Sequence, residues 1–184
     1  MSAQLRGTAY HEAGHAVATW TLGVKLGTVT IDRDGDALGS ATHGRILTRR
    51  DIDAFQFGSL DRFTGEANAL RQSIIALAGI VAQRRYAPRS VRRWHGRGDR
   101  ETFNLIADRV VGDDELERKH WYARALRRTE RIINDRWPAV ESLAHALLKK
   151  HTLLGSEALA VIYSVYELPE AEQRRLEKLF KDKG

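Results

Sequence analysis

The first apolar stretch of the chain has a helical period. Within residues 4–22, apolar positions such as Leu5, Ala9 and Ala13 recur at intervals of three and four, the spacing that places them on one face of a helix. Gly23 follows the last apolar position, and glycine commonly ends a helix because it adopts left-handed backbone angles easily. We therefore expect an apolar helix near the start of the chain.

The pattern changes after this helix. Residues 24–32 carry β-branched side chains at short intervals and predict a strand, residues 33–36 (Arg-Asp-Gly-Asp) predict a turn, and residues 37–46 predict a returning strand. Two strands joined by a short turn run antiparallel. The sequence thus predicts a small antiparallel β unit directly after the first helix.

Most of the remaining chain has helical periodicity, whereas residues 51–63 are ambiguous. The predicted helices cover residues 64–86, 100–111, 113–137, 138–151, 156–166 and 169–182. No internal repeat, linker or low-complexity tract interrupts them. The predicted fold class is α+β and mostly α, in a single domain of residues 1–184. Its first helix is of a kind that binds a metal ion, and a small antiparallel β unit and a helical bundle follow it.

Composition narrows the kinds of protein that the chain can be. It has 184 residues, of which 42% are hydrophobic, and only 3 prolines, which is enough for one domain with a substantial core. There is no cysteine, which excludes disulfides and cysteine-ligated metal sites. No apolar run approaches the ~18 residues that span a bilayer, and we expect a cytoplasmic protein without a membrane span.

A five-residue pattern on the first helix suggests metal chemistry. His11, Glu12 and His15 form the motif HExxH. Residues four apart share a helix face, so both imidazoles can reach one zinc ion, and Glu12 lies where it can exchange protons with a reacting water. The alternative is that both histidines face solvent or lie satisfied in the core.

A catalytic zinc needs a third protein ligand and an open fourth position. The candidates that the sequence offers are Glu66, His95, Asp99 and Glu101. Asp99 follows a glycine-containing loop at the predicted start of a helix, where its carboxylate would be held rigidly. On spacing alone, a simple N-cap role for Asp99 is as good an interpretation.

The chain also resembles a known family in several blocks. "AYHEAGHAV" (9–17) is similar to the metal-binding helix of the FtsH-type zinc metallopeptidases, the protease half of membrane-anchored AAA+ proteases. Further similar blocks follow in the family's order and cover nearly all of residues 8–165: "VTIDRDGDALGSA", "IIALAGIVAQRRY", "GRGDRETFNLIADRVV" and "AVESLAHALLKKHTLLGSEALAVI". The resemblance implies a zinc endopeptidase with Zn²⁺ bound by His11, His15 and Asp99, and Glu12 as the catalytic residue.

The sequence departs from the family in two respects. Where the family has Gly-Arg-x-Ala-Glu, this chain has Gly79 to Gln83 without the arginine or the glutamate, so any role of those charges is lost or replaced. The metal helix also begins within ten residues of Met1, and for a complete chain this start implies that neither the family's ATPase module nor its membrane anchors precede the peptidase domain. We therefore expect an ATP-independent peptidase that cleaves flexible or unfolded segments or works with a separate ATPase partner, and the family's ring assembly implies a homo-oligomer.

Two surfaces beside the expected site are candidates for substrate contact. Leu38, Gly39, Ser40 and Ala41 lie on the predicted returning strand, whose edge could pair with an extended protein or peptide substrate; the alternative is an ordinary hairpin strand. Arg92, Arg93 and Arg97 belong to a basic segment that could guide acidic peptides.

Two other functions compete with the peptidase. One is a catalytically degenerate peptidase-like module used for binding or regulation. The other is a basic nucleic-acid-associated protein with structural zinc, but no recognisable nucleic-acid-binding motif accompanies the arginines, and charge runs are usually solvated surface.

Overall fold

The computed structural model describes residues 2–32, 39–44, 62–91 and 96–166. Within these ranges the chain forms helices α1 (Ala3–Thr21), α2 (Arg62–Tyr86), α3 (Arg97–Val110), α4 (Glu115–Asp135), α5 (Trp137–Lys150) and α6 (Gly155–Tyr163), strands β1 (Leu26–Thr30), β2 (Ser40–His43) and β3 (Thr152–Leu153), and a short 3₁₀ helix, Pro88–Ser90. The predicted fold class, α+β and mostly α, is confirmed. No helix in the described part of the chain is both long and apolar enough to cross a membrane.

Most predicted elements lie close to their observed positions. The expected turn at 33–36, nearly all of the ambiguous segment 51–63 and the expected final helix 169–182 fall outside the described residues. Helix α3 differs in one important respect, because it begins at Arg97 rather than after Asp99. Asp99 therefore lies in the first turn of α3, and its alternative interpretation as the N-cap is wrong.

Helix α1 is the central element of the fold. The Ser2 Oγ caps its start by accepting a hydrogen bond of 3.1 Å from the Leu5 N–H, and Gly23 follows its end with a φ of 70°. Between these limits nearly every residue from Gly7 to Thr19 is buried, as expected for a helix that is covered on all sides. Helices α2 and α5 provide most of that cover.

The three strands form an antiparallel sheet in the order β2-β1-β3. The register pairs Val29 with Ala41 on one side of β1 and with Leu153 on the other. Among the described residues, β2 therefore lies at an edge of the sheet. Strand β2 also contacts α1, so the edge strand lies beside the helix that carries the HExxH motif.

Helix α2 has a second buried face, which packs against α3 and α4. Residues such as Leu70, Phe103 and Trp121 form this second apolar cluster. The Trp121 Nε1–H donates a hydrogen bond of 3.1 Å to the Ser73 Oγ, which satisfies both buried polar groups. Because α2 packs against α1 on one face and against α3 on the other, it determines how α3 is placed relative to α1.

A glycine allows α1 and α2 to pack unusually closely. A Cβ at Gly14 would lie 2.6 Å from the Ala78 carbonyl oxygen and 2.6 Å from the Ala82 Cβ, well inside contact distance. Only a residue without a side chain fits between the two helices at this point. The close contact lies one residue before His15 and one residue before Gly79 in the two helices.

We predict that Gly14→Ala lowers the free energy of unfolding by about 1–3 kcal/mol, because overpacking outweighs the better helix propensity of alanine. Gly98→Ala is the matched control, since a Cβ at position 98 meets no atom within 4 Å. That control should be neutral or up to about 1 kcal/mol more stable. Urea denaturation measures both, and a Gly14→Ala protein as stable as wild type would contradict the packing described here.

Candidate metal centre

The two histidines of the HExxH motif meet at their Nε2 atoms. His11 and His15 lie one turn apart on α1, and 3.1 Å separates their Nε2 atoms. Their side chains are largely buried, with 12% and 9% of their surfaces exposed. The sequence prediction that both imidazoles lie on one helix face is thus met, and they point to a common position in the protein interior.

Asp99 completes the cluster from a different helix. Its Oδ2 atom lies 2.9 Å from the Nε2 of His11 and 3.3 Å from the Nε2 of His15. Gly96 precedes α3 with a φ of 63°, a left-handed conformation that glycine adopts without strain. This turn places the first residues of α3, and with them the Asp99 carboxylate, beside the two imidazoles.

The other third-ligand candidates lie elsewhere or are not described. Glu66 accepts a hydrogen bond from Arg124 on α4, and Glu101 pairs with Arg97 at 2.9 Å on the surface. His95 falls outside the described residues. Within the described ranges, His11, His15 and Asp99 are the group of side chains whose positions could hold a metal ion.

Hydrogen bonds on the far side of each ring determine which nitrogen carries the proton. The Nδ1 of His15 lies 2.7 Å from the Ile75 carbonyl oxygen, and the Nδ1 of His11 lies 3.2 Å from the Oε1 of Gln83. Both oxygens are acceptors, so each Nδ1 donates its hydrogen. In the neutral form of each ring, Nε2 then carries a lone pair directed at the shared position, which is the arrangement that metal-binding histidines require.

The resulting geometry suits a tetrahedrally bound cation. Two nitrogen lone pairs and a carboxylate oxygen converge with edges of 2.9–3.3 Å, and such a cluster needs positive charge at its centre, either a proton or a metal ion. A tetrahedral ion with bonds of about 2.0–2.1 Å keeps its ligand atoms about 3.3 Å apart. The cluster is therefore nearly at the size of a metal coordination shell.

Gly79 leaves the space in which the cluster lies. A Cβ at this position of α2 would lie 2.3 Å from the Nε2 of His15 and 2.5 Å from the Nε2 of His11. The two donor nitrogens therefore lie directly against the backbone of α2 at Gly79, in space that any side chain would fill. In the sequence Gly79 was singled out only through the family resemblance, and its contact with the imidazoles was not predicted.

The charges in this cluster affect one another strongly. Burial lowers the pKa of His15, but the charge of the Asp99 carboxylate and its hydrogen bond outweigh that effect and raise the pKa to about 9. Burial acts in the opposite direction on Asp99, and the two imidazoles outweigh it there, holding the pKa of its carboxyl well below the usual range. Without a metal ion at neutral pH, the proton of this pair therefore lies on His15, which donates it in a hydrogen bond to the Asp99 carboxylate.

Glu12 is buried beside the cluster, as its position in the motif predicts. Only 6% of the residue is exposed. Burial raises the pKa of its carboxyl, while the neighbouring imidazoles of His15 and His11 lower it, and the net change is upward. A Cβ at Gly39 would lie 3.0 Å from the Oε1 of Glu12, so the start of the edge strand lies against this carboxyl group.

The residues expected to contact substrate are partly described. Gly39 lies beside Glu12 and directly precedes β2, Ser40 and Ala41 are the first two residues of β2, and Ser40 is exposed; Leu38 falls outside the described residues. Of the arginines, Arg97 has 81% of its side chain exposed and pairs with Glu101, whereas Arg92 and Arg93 also fall outside. The roles of all these residues stay predictions.

Sequence reasoning missed the groups that orient the imidazoles. The Ile75 carbonyl is a backbone group and leaves no signal in the residue type. Gln83 was noticed only as a departure from the family pattern, and no role was assigned to it. Its side chain now has one, because it accepts the hydrogen of the His11 Nδ1.

Comparison with known proteins does not extend these observations. Neither a scan against protein-family models nor a search of curated proteins finds a match to this chain. The resemblance to the FtsH-type peptidases therefore stays a prediction.

We predict that Gly79→Ala weakens metal binding at this cluster, measured with Zn²⁺ as the probe ion, by on the order of 100-fold or more, because the new methyl group occupies the space of the donor atoms. Equilibrium dialysis against zinc measures the loss. Gly98→Ala again serves as the control, since its methyl group meets no atom within 4 Å. Wild-type zinc affinity in a folded Gly79→Ala protein would contradict the geometry of the centre.

We also predict a pH dependence of metal affinity. Since the pKa of His15 is about 9, its protonated form predominates below that pH and must lose a proton before binding. The apparent zinc affinity should therefore fall about tenfold for each unit that the pH drops between 8 and 6. Competition with a chelating indicator, corrected for the indicator's own protonation, measures it. An affinity that stays constant over this range would refute the prediction.

Proposed function

We propose that this chain is a zinc-dependent endopeptidase that hydrolyses peptide bonds in flexible or unfolded protein segments. The observation that carries the proposal is the convergence of His11, His15 and Asp99 on one position, with the buried Glu12 beside them. Two histidines and one carboxylate, with a glutamate adjacent to the first histidine, form the ligand set and proton-transfer group of HExxH zinc peptidases.

Zinc is the metal that these donors favour. Imidazole nitrogens and a carboxylate oxygen in tetrahedral spacing, without any thiolate, suit a catalytic zinc ion with one position open. When bound, zinc would acidify a water molecule and polarise the carbonyl of the scissile bond. His11, His15 and Asp99 would hold the ion, and α1, α2 and the start of α3 would fix those three side chains.

Glu12 would transfer the proton of the reaction. As the water oxygen forms a bond with the carbonyl carbon, the Glu12 carboxylate accepts a proton from the water, and it returns that proton to the nitrogen as the carbon–nitrogen bond breaks. A carboxyl whose pKa is raised by burial suits both halves of this transfer, because it accepts and releases a proton closer to neutral pH.

The edge strand β2 would hold the substrate. It begins against Glu12 and lies at an edge of the sheet in the described part of the chain. An extended peptide could add to it as a further strand through backbone hydrogen bonds. Because the backbone groups of a folded substrate are already paired, this mode of binding selects segments that are flexible or unfolded.

We predict that Glu12→Gln retains zinc but lowers the rate of casein cleavage by about 10²–10⁴-fold, the usual contribution of a general acid–base group. Asp99→Ala should lose both zinc and cleavage, because a ligand is missing. The experiment measures zinc content and chelator-sensitive cleavage side by side. Glu101→Gln and Asp108→Ala are the matched controls, since both remove an exposed, ion-paired carboxylate from the same helix as Asp99.

The pattern of results separates the candidate functions. Cleavage by Glu12→Gln at the wild-type rate would refute the peptidase assignment. Zinc bound in wild type without cleavage of casein would favour the binding or regulatory module instead. Absence of zinc from the wild-type protein would refute the assignment of His11, His15 and Asp99 as a zinc site.

A further inference from the structure

The two metal-facing imidazoles have different kinds of partner on their far side. His15 donates to the Ile75 carbonyl, which belongs to the backbone of α2. His11 donates instead to the Oε1 of Gln83, a side chain on the same helix. A backbone carbonyl is present whatever the residue type, whereas a side-chain acceptor can vary in charge and strength. His11 is thus the ligand whose properties the sequence of α2 can adjust.

A chain of hydrogen bonds fixes the orientation of the Gln83 amide. Its Nε2 donates to the Ser90 Oγ at 3.3 Å, and that hydroxyl donates to the Ala87 carbonyl oxygen at 2.7 Å. Because a carbonyl can only accept, the Ser90 hydroxyl must point its hydrogen at Ala87 and present a lone pair to Gln83. The amide then turns its oxygen toward His11.

The surrounding packing holds these hydrogen-bonded side chains in place. Gln83 is 3% exposed, and Ser90 is fixed by the short 3₁₀ helix, where its N–H donates to the Ala87 carbonyl at 2.9 Å. Gly7 of α1 leaves room for the Gln83 side chain, since a Cβ there would lie 3.2 Å from the Gln83 Nε2. The hydrogen-bonded side chains of Gln83 and Ser90 are therefore packed at the interface between α1 and α2.

We propose that Gln83, oriented by Ser90, is a positioning residue that keeps the hydrogen of His11 on Nδ1 and sets the metal affinity of the centre. A neutral amide orients the imidazole without adding charge. A carboxylate at the same place would also make the imidazole more basic, so that the imidazole would bind the metal more tightly. The inference rests on the metal centre of the proposed function but does not depend on its hydrolytic activity.

The test compares Gln83→Leu, Gln83→Glu and Ser90→Ala with wild type in two measurements. The first is the zinc dissociation constant at a fixed pH, from competition with a chelating indicator. The second is the position of the ring hydrogen of His11 in the metal-free protein, from long-range nitrogen–proton NMR correlations with isotope-labelled histidine. Ser73→Ala is the matched control, because it removes a buried side-chain hydrogen bond that α2 makes to Trp121 of α4 and not to α1.

We expect Gln83→Leu to weaken zinc binding by about 10–100-fold and Gln83→Glu to tighten it by about tenfold, as changes in groups that support a metal ligand do. Ser90→Ala should cause a smaller loss than Gln83→Leu. In wild type the NMR pattern should place the hydrogen on Nδ1, and in Gln83→Leu it should shift toward Nε2. Ser73→Ala should leave both measurements at their wild-type values.

Two results would overturn the inference. One is a wild-type His11 whose Nδ1 carries no hydrogen in the metal-free protein. The other is a zinc affinity that is unchanged in both Gln83→Leu and Gln83→Glu. If Gln83→Leu does not fold, unchanged zinc affinity in the two single variants Gln83→Glu and Ser90→Ala overturns the inference instead. Absence of casein cleavage with the expected affinities would leave this inference intact and favour the binding or regulatory module over the peptidase, so the two failures are distinguishable.

Discussion

The close approach of α1 to α2 is the constraint on which the rest of the structure depends. At Gly14 and Gly79 each helix lacks the side chain that would keep its neighbour at the usual distance. Closer packing brings the His11 and His15 rings against the backbone of α2, where the Ile75 carbonyl and Gln83 can orient them. A larger residue at either glycine would separate the helices and the groups that position the rings.

The same packing makes the cluster electrostatically unusual. Two imidazole nitrogens and a carboxylate oxygen are held within 3.3 Å of one another in a largely buried place. Burying such groups without a compensating cation costs free energy. The fold tolerates the cost because the helices that meet there also bury two large apolar clusters. Stability elsewhere in the protein thus supports a locally unfavourable arrangement, as is common at functional sites.

Local patterns in the sequence predicted much of the fold, while tertiary contacts did not show in it. The apolar period of α1 and its terminating Gly23 were sufficient to predict that helix, and spacing placed His11 and His15 on one face. Periodicity could not reveal that α3 begins at Arg97, because the Gly96 turn depends on how the chain folds back toward α1. Periodicity also does not show which of the adjacent aromatic residues packs in the core: Trp121 is 4% exposed and Tyr122 is 44% exposed.

The selection of Asp99 had a different basis. From the residues alone it was the best placed of four candidates, with an N-cap role as good an interpretation, and the family resemblance put it clearly ahead of the others. Its contact with both imidazoles depends on the path of a chain segment that no local pattern encodes. Gln83 illustrates the same limit, because a buried amide in an apolar helix gives no indication of its partner until the neighbouring helix is in place.

The placement of Asp99 has a mechanical consequence for the whole chain. Its carboxylate meets a ring that lies 88 residues earlier in the sequence, so a cation held between them would act as a cross-link between α1 and α3. Such a link restricts the conformations of the unfolded chain, because it holds two distant residues together. A ligand present at a hundred times its dissociation constant also adds about 2.7 kcal/mol to the free energy of unfolding of a protein that binds it only when folded. The centre would then fasten the chain in addition to any chemistry it performs, and α3 could leave α1 only as the ion is released.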